Sequence, residues 1–239
     1  MEFDMGERLL LLLYAVPAIL ISLSFHELFH AYVSYRQGDP TAKRLGRLTL
    51  NPLKHLDPIG TLMLVASMFS GFGFGWAKPV PIDPAYYKNH KWGTVLVSIA
   101  GPLSNLLLAF IFSFPMALIA IENGITLSAI YDSYSGYYGS GLSFKAILFN
   151  VSKSFYIINI GLAIFNILPI PPLDGSKILT AILPAKTYFG IMRYERYIGM
   201  AFLALMVLRP GILSTLLNPL RTGVEAVFRF LATPILSLF

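Results

Sequence analysis

The chain has 239 residues, of which 56% are hydrophobic and 13% are charged, and its mean hydropathy is +0.67. Soluble domains carry about 25% charged residues, so this composition excludes an ordinary soluble domain and indicates an integral membrane protein. The net charge of +6 does not predict nucleic-acid binding, because the cations fall between apolar runs and not on one face or tail. The sequence contains no cysteine, which excludes disulfides and thiolate chemistry.

Long uncharged runs predict three membrane spans. The first is Leu9–Phe25, and we expect its helix to continue to about Tyr35. Thr94–Ile121 and Ser154–Leu173 follow. Each run can cross a hydrocarbon core of roughly 30 Å, because a helix rises about 1.5 Å per residue.

The loops between these runs predict the orientation. Lysine and arginine concentrate in residues 36–57, 76–92 and 174–196, whereas residues 122–142 carry acids and no cations. The positive-inside rule then places the first three loops in the cytoplasm of a prokaryotic cell and the fourth outside its plasma membrane.

Residues 58–75 lie between two loops predicted to be cytoplasmic, so this segment cannot cross the membrane once. It is short and broken by glycine, and we interpret it as a re-entrant element. Its end, GFGFGWAKPVPI, alternates glycine with phenylalanine, which favours a β-like strand that lines a cavity. A short packing helix followed by a loop is the alternative.

The C-terminal part predicts one or two further helices. Tyr197–Leu208 and Pro210–Leu220 are weaker apolar runs. The tail beyond them carries a polar helical stripe that suits a helix lying at the membrane interface, while a span remains the other option; the stripe consists of Arg221, Glu225 and Arg229.

The motif SFHELFHA ends the first apolar run, where charged and metal-binding groups are costly. His26 and His30 are four residues apart, so a helix places both imidazoles on one face, at the spacing that binds one zinc ion. Glu27 follows the first histidine directly, and in an HExxH motif this residue is the general base. The alternative is a polar helix face that holds no metal.

Asp174 is the candidate for the third ligand. It directly follows a long apolar span, and the predicted topology places it at the depth of the two histidines. The prolines of the run PIPP at 169–172 would unwind the helix before it. The Asp-Gly pair is equally compatible with a helix cap at a turn.

Several motifs together resemble the site-2 proteases, zinc metalloproteases that cut within the membrane. The resemblance rests on HELFH at 26–30, GPLSN at 101–105 and NILPIPPLDG at 166–175, with fainter similarity in residues 38–61 and 75–83. It points to the compact prokaryotic branch without PDZ or CBS domains. Many members carry a second glycine where this chain has Ser176.

The resemblance implies one zinc ion per chain, bound by His26, His30 and Asp174, with Glu27 as catalytic base. It also implies that Asn166 holds the substrate or the oxyanion. We expect further substrate contacts from Pro172, Phe72, Gly73, Phe74 and Gly75. Asn105 would lie beside the site on a core helix, where an interhelical hydrogen bond explains it as well as catalysis does.

We therefore expect an all-α integral membrane protein with a three-helix catalytic core, a re-entrant β-like element between its first two helices, and C-terminal helices. Residues 1–239 would form a single peptidase domain with its active site toward the cytoplasm. Its partners would be the lipid bilayer and a membrane-protein substrate with a transmembrane helix. The alternatives are a metal-binding transporter, a catalytically silent relative, or a metalloprotease that cuts outside the bilayer.

Overall fold

The structure is a computed structural model that describes residues 5–69, 75–124 and 143–236. The described residues are mostly helical, and this confirms the predicted all-α class. The helices are α1 (Met5–Arg36), α2 (Thr41–Arg44), α3 (Pro58–Phe69), α4 (His90–Glu122), α5 (Phe144–Asn166), α6 (Gly175–Ile182), α7 (Ala185–Met192), α8 (Glu195–Leu208) and α9 (Pro210–Leu236).

Helix α4 is the centre of the fold, because it packs against α1, α5 and α6. The largest hydrophobic cluster joins the C-terminal half of α4 to α5 and α9, and Tyr156 and Ile160 are its largest fully buried side chains. Three helices of the described part are long and apolar enough to span a membrane: α1, α4 and α5. The protein is therefore a membrane protein built on the three predicted spans.

Helix α5 ends at Asn166, although the uncharged run continues to Leu173. Pro169 has no N–H to donate, and the residue before a proline is disfavoured in the helical conformation. The chain therefore turns after Asn166 and leads into α6 at Asp174. The uncharged run indicates how far the chain stays in an apolar environment, whereas the prolines determine where the helix ends.

The segment predicted to be re-entrant begins with a helix, because residues 58–69 form α3. Residues 70–74, where the alternating pattern begins, lie outside the described residues. The β-like element is not confirmed: the described part of this region contains a single antiparallel bridge, between Leu56 and Ala77. A side chain at Gly75 would collide with Leu64 and the Gly60 carbonyl, so this glycine permits close contact with α3.

The two predicted C-terminal helices are present as α8 and α9, and both contribute to hydrophobic clusters with the core. In α9, Phe228 and Ala232 are buried in the cluster shared with α4 and α5. The polar stripe is not a solvent-facing surface along its whole length, because Glu225 is buried and accepts a hydrogen bond from Arg221 at 2.8 Å.

Candidate metal centre and active site

Three potential metal ligands converge between the helices. The Nε2 atoms of His26 and His30 are 3.0 Å apart, and Oδ2 of Asp174 lies 3.1 Å from the first and 3.0 Å from the second. All three residues are at most 9% exposed. They form the one group of three potential ligands found in the described part of the chain.

Local structure explains why these groups meet. His26 and His30 are one turn apart on α1, and their rings are in edge-to-face contact with centroids 4.6 Å apart. Asp174 stands at the N-terminus of α6, directly after the proline-rich turn. It makes no capping hydrogen bond with its side chain, so the helix-cap alternative does not describe it.

The hydrogen-bond partner of His30 determines which of its ring nitrogens carries the hydrogen. Its Nδ1 lies 2.6 Å from the backbone carbonyl of Val97 on α4. A carbonyl oxygen can only accept, so Nδ1 carries a hydrogen and donates it. In the neutral imidazole, Nε2 then has a free lone pair that points at the ligand cluster.

A chain of two asparagines fixes His26 in the same way. Nδ2 of Asn159 donates to the Phe155 carbonyl at 2.8 Å, so Oδ1 of Asn159 faces Asn105. Nδ2 of Asn105 donates to that oxygen at 2.7 Å, which turns its own Oδ1 toward His26. Nδ1 of His26 must then donate to Oδ1 of Asn105 at 2.6 Å, leaving a lone pair on Nε2.

The donor set fits zinc. Two imidazole nitrogens and a carboxylate oxygen converge within about 3 Å of one another, an arrangement that is repulsive unless a metal ion or a proton lies among them. Two histidines and one carboxylate are a known ligand set of catalytic zinc, which keeps an open coordination position. Hydrogen bonds at the far ring nitrogens, such as those of His26 and His30, orient the ligands of such sites.

Gly101 on α4 makes room for this cluster. A Cβ atom at this position would collide with the Nε2 of His30 and lie 2.6 Å from Cε1 of His26. The glycine and asparagine of the GPLSN motif therefore serve the same histidine pair, since Asn105 lies one turn further along α4. Asn105 also bonds across to α5, so it is both an interhelical contact and an orienting group.

The other predicted site residues that the structure describes line one cavity of about 400 Å³ beside the cluster. They are Glu27, Asn166, Pro172 and Gly75. The carboxylate of Glu27 accepts a hydrogen bond from the Val80 amide at 2.7 Å, and Asn166 donates to the Leu162 carbonyl at 3.0 Å. Phe72, Gly73 and Phe74 lie outside the described residues.

Two polar residues near the site were missed by the sequence analysis. Asn159 is completely buried in an apolar span, and that position was the signal that could have revealed it. Lys177 lies one turn after Asp174 and places its ammonium 3.2 Å from Oδ1, the oxygen that faces away from the histidines. The remaining histidines, His55 and His90, bond backbone carbonyls of Thr49 and Pro84 in the loops.

Comparison with known proteins agrees with this site. The sequence model of Peptidase family M50 matches residues 14–208. The chain is 37% identical over 225 residues to "Putative zinc metalloprotease YwhC" of Bacillus subtilis, and the match covers 93% of this chain and 94% of that protein.

More distant relatives carry the name "Putative zinc metalloprotease Rip2". The protein from Mycolicibacterium smegmatis is 29% identical over 197 residues, which cover 81% of this chain and 66% of the relative. The one from Mycobacterium tuberculosis H37Rv is 29% identical over 196 residues, covering 80% and 65%. No solved structure matches the chain with significance. The family match and the buried ligand cluster together show that the chain belongs to peptidase family M50, as a zinc metalloprotease of the membrane.

Proposed function

We propose that the chain is an intramembrane endopeptidase that hydrolyses peptide bonds in or near the transmembrane segments of other membrane proteins. The observation that carries this proposal is the position of the ligand cluster. His26 and His30 lie within a helix that can span the membrane, about two to three turns before its end at Arg36. A protease that acts only on soluble substrates has no need to place its metal at this depth.

The roles proposed for the individual residues follow from the cavity. His26, His30 and Asp174 would hold zinc, which when bound acts as a Lewis acid that polarises the scissile carbonyl and acidifies water. Glu27 would take a proton from the attacking water as its oxygen bonds to the carbonyl carbon. It would return that proton to the leaving nitrogen as the C–N bond breaks.

Asn166 is proposed to hold the substrate carbonyl. One of its amide hydrogens is used within α5 by the Leu162 carbonyl, which fixes the side chain at the cavity wall. The second amide hydrogen is available for a substrate oxygen. Side-chain amides serve this role in other acyl-transfer sites.

The size of the cavity supports a substrate that unwinds before it is cut. A helix with its side chains is about 10 Å across, and its peptide groups are already hydrogen-bonded. The site cavity of about 400 Å³ adjoins an apolar cavity of about 350 Å³, which shares Leu23, Gly75, Leu162 and Phe165 with it. These volumes suit an extended peptide, which could pair as an added strand with the re-entrant element proposed near Phe72–Trp76.

Cleavage of matched membrane substrates tests the proposal. In liposomes, we compare two single-span Leu/Ala helices, one of which carries a central Asn-Gly pair. The zinc-loaded protein should cut the helix with the pair faster, because asparagine and glycine have low helix propensity and lower the free energy needed to unwind it. Mass spectrometry of the products locates the cut. Products cut only in the water-exposed flanks of both substrates would favour a metalloprotease that works outside the bilayer, and metal uptake into liposomes without cleavage would favour a transporter.

We also propose that the protein is a multi-pass protein of a prokaryotic plasma membrane and that the active site opens toward the cytoplasm. The cationic loops that support this lie at the same end of α1 and α4 as His30 and Val97. The sequence lacks cysteine, so single-cysteine variants report on one position each. In intact cells, a membrane-impermeant maleimide should label Glu122→Cys, whereas Lys54→Cys should be labelled only after permeabilisation. The opposite pattern would show that the active site opens toward the outside of the cell.

A further inference from the structure

A single backbone amide lies beside the proposed catalytic base. Pro79 and Pro81 have no N–H, so Val80 carries the only amide hydrogen of the three residues. That hydrogen is donated to Oε2 of Glu27 across 2.7 Å. Val80 is 8% exposed, and its side chain packs in a small cluster with Ala31 and Ala42. The amide is therefore held at a fixed place against the carboxylate.

This hydrogen bond limits the conformations of the Glu27 side chain. A glutamate on a helix surface samples several rotamers, and ordering it costs entropy unless a partner holds it. A charged acceptor makes the amide bond stronger than a neutral one. With Oε2 occupied in this way, the carboxylate stays at the wall of the cavity that also contains His26 and Asp174.

Arg47 fixes the residues directly before Val80. Its Nη2 donates to the carbonyl of Lys78 at 2.7 Å and lies 3.4 Å from the carbonyl of Pro79. The amide of Lys78 donates in turn to the His55 carbonyl at 2.8 Å. Arg47 is only 8% exposed, and burying a guanidinium is costly unless hydrogen bonds compensate for the lost water.

Asp39 fixes the residues that follow Val80. Its Oδ2 accepts hydrogen bonds from the Asp83 amide at 2.8 Å and from Ser34 at 2.7 Å, and it is completely buried. Burial raises the pKa of Asp39, but hydrogen bonds from Thr41, Asp83 and Ser34 outweigh that effect and hold the pKa below its usual value. Asp39 therefore anchors the segment as a carboxylate.

We propose that Arg47 is a positioning residue for the catalytic base and acts through the Val80 amide. This inference rests on the proposed function, because it takes Glu27 as the base. The two histidine ligands are oriented by α4 and α5, through Val97, Asn105 and Asn159. The base is oriented instead by two loops, residues 37–57 and 75–89. Loss of the contact between Arg47 and the residues before Val80 should therefore slow the reaction without releasing zinc.

Two variants test the inference on the full-length, zinc-loaded protein with the Asn-Gly membrane substrate. Replacing Val80 by its α-hydroxy acid removes the N–H and leaves the side chain in place. Arg47→Met removes the donor to the carbonyls. Each should lower kcat by roughly 10- to 100-fold, as a displacement of about 1 Å does in other active sites, with KM and zinc content unchanged. Arg47→Lys, which keeps a cationic donor, should recover part of the rate.

The control is Lys54→Met, which removes an exposed cation from the loop that carries Arg47. It should keep the wild-type kcat. If Arg47→Met does not fold, Arg47→Lys, which should stay below the wild-type kcat, takes its place. A normal kcat in the α-hydroxy variant or in the Arg47 variant, or a loss accompanied by zinc release or a matching rise in KM, overturns the inference. A wild-type protein that cuts no membrane substrate would refute the proposed function itself.

Discussion

Glu27→Gln should lower kcat on a membrane substrate by roughly 10²- to 10⁴-fold, the range contributed by a general base, while one zinc per chain remains bound. Glutamine has nearly the same shape, and its carbonyl oxygen can still accept the hydrogen of the Val80 amide. It cannot take a proton from water. The position of the side chain is thus preserved, and only the proton transfer is removed.

The measurement is single-turnover cleavage in liposomes together with metal analysis of the purified protein. Glu122→Gln is a matched control, because it changes an exposed acid at the far end of α4 that is paired with Lys145. Substantial cleavage by Glu27→Gln would show that another group is the base. Loss of zinc in this variant would indicate that Glu27 is itself a zinc ligand, which would contradict its role as the general base.

Gly101→Ala should empty the zinc site. The added methyl group would collide with the Nε2 of His30 and press on His26. Both rings are also held at their far nitrogens, by Val97 and Asn105, so they cannot move aside without breaking a buried hydrogen bond. We expect zinc content to fall from one per chain to nearly none, and cleavage to disappear with it.

Gly223→Ala provides the comparison, because it lies in α9 with open space around its Cα hydrogens. It should keep zinc and gain about 0.5–1 kcal/mol in stability, as glycine-to-alanine changes within helices do. Circular dichroism checks that both variants retain their helices. A Gly101→Ala protein that binds zinc normally would show that the histidine rings lie elsewhere in the loaded enzyme.

The parts of the site that follow a local rule could be predicted from the sequence. The spacing of His26 and His30 determines that they share a helix face, and the prolines before Asp174 predict that the helix ends there. The three spans could be predicted because hydropathy reports directly on burial in lipid. These predictions needed no knowledge of how the helices pack.

The residues that act across helices could not be found in this way. Nothing near Gly101 in the sequence says that two imidazoles from another helix occupy the space above it. The contact between Val80 and Glu27 joins residues 53 positions apart and depends on two loops. Helix α3 was predicted only as the alternative to a re-entrant β-like element, because a short apolar run has no periodicity that separates a helix from a strand.

The amide chain from Phe155 through Asn159 and Asn105 to His26 has a thermodynamic consequence. Helix α5 carries Asn159, which supports the orientation of His26 through Asn105, and Asn166, which lines the cavity beside the ligand cluster. A substrate that shifts α5 would strain the hydrogen bond that orients His26, and a loaded metal would resist that shift. Zinc binding and substrate binding are then thermodynamically linked. Each ligand, once bound, changes the affinity of the protein for the other by the same factor.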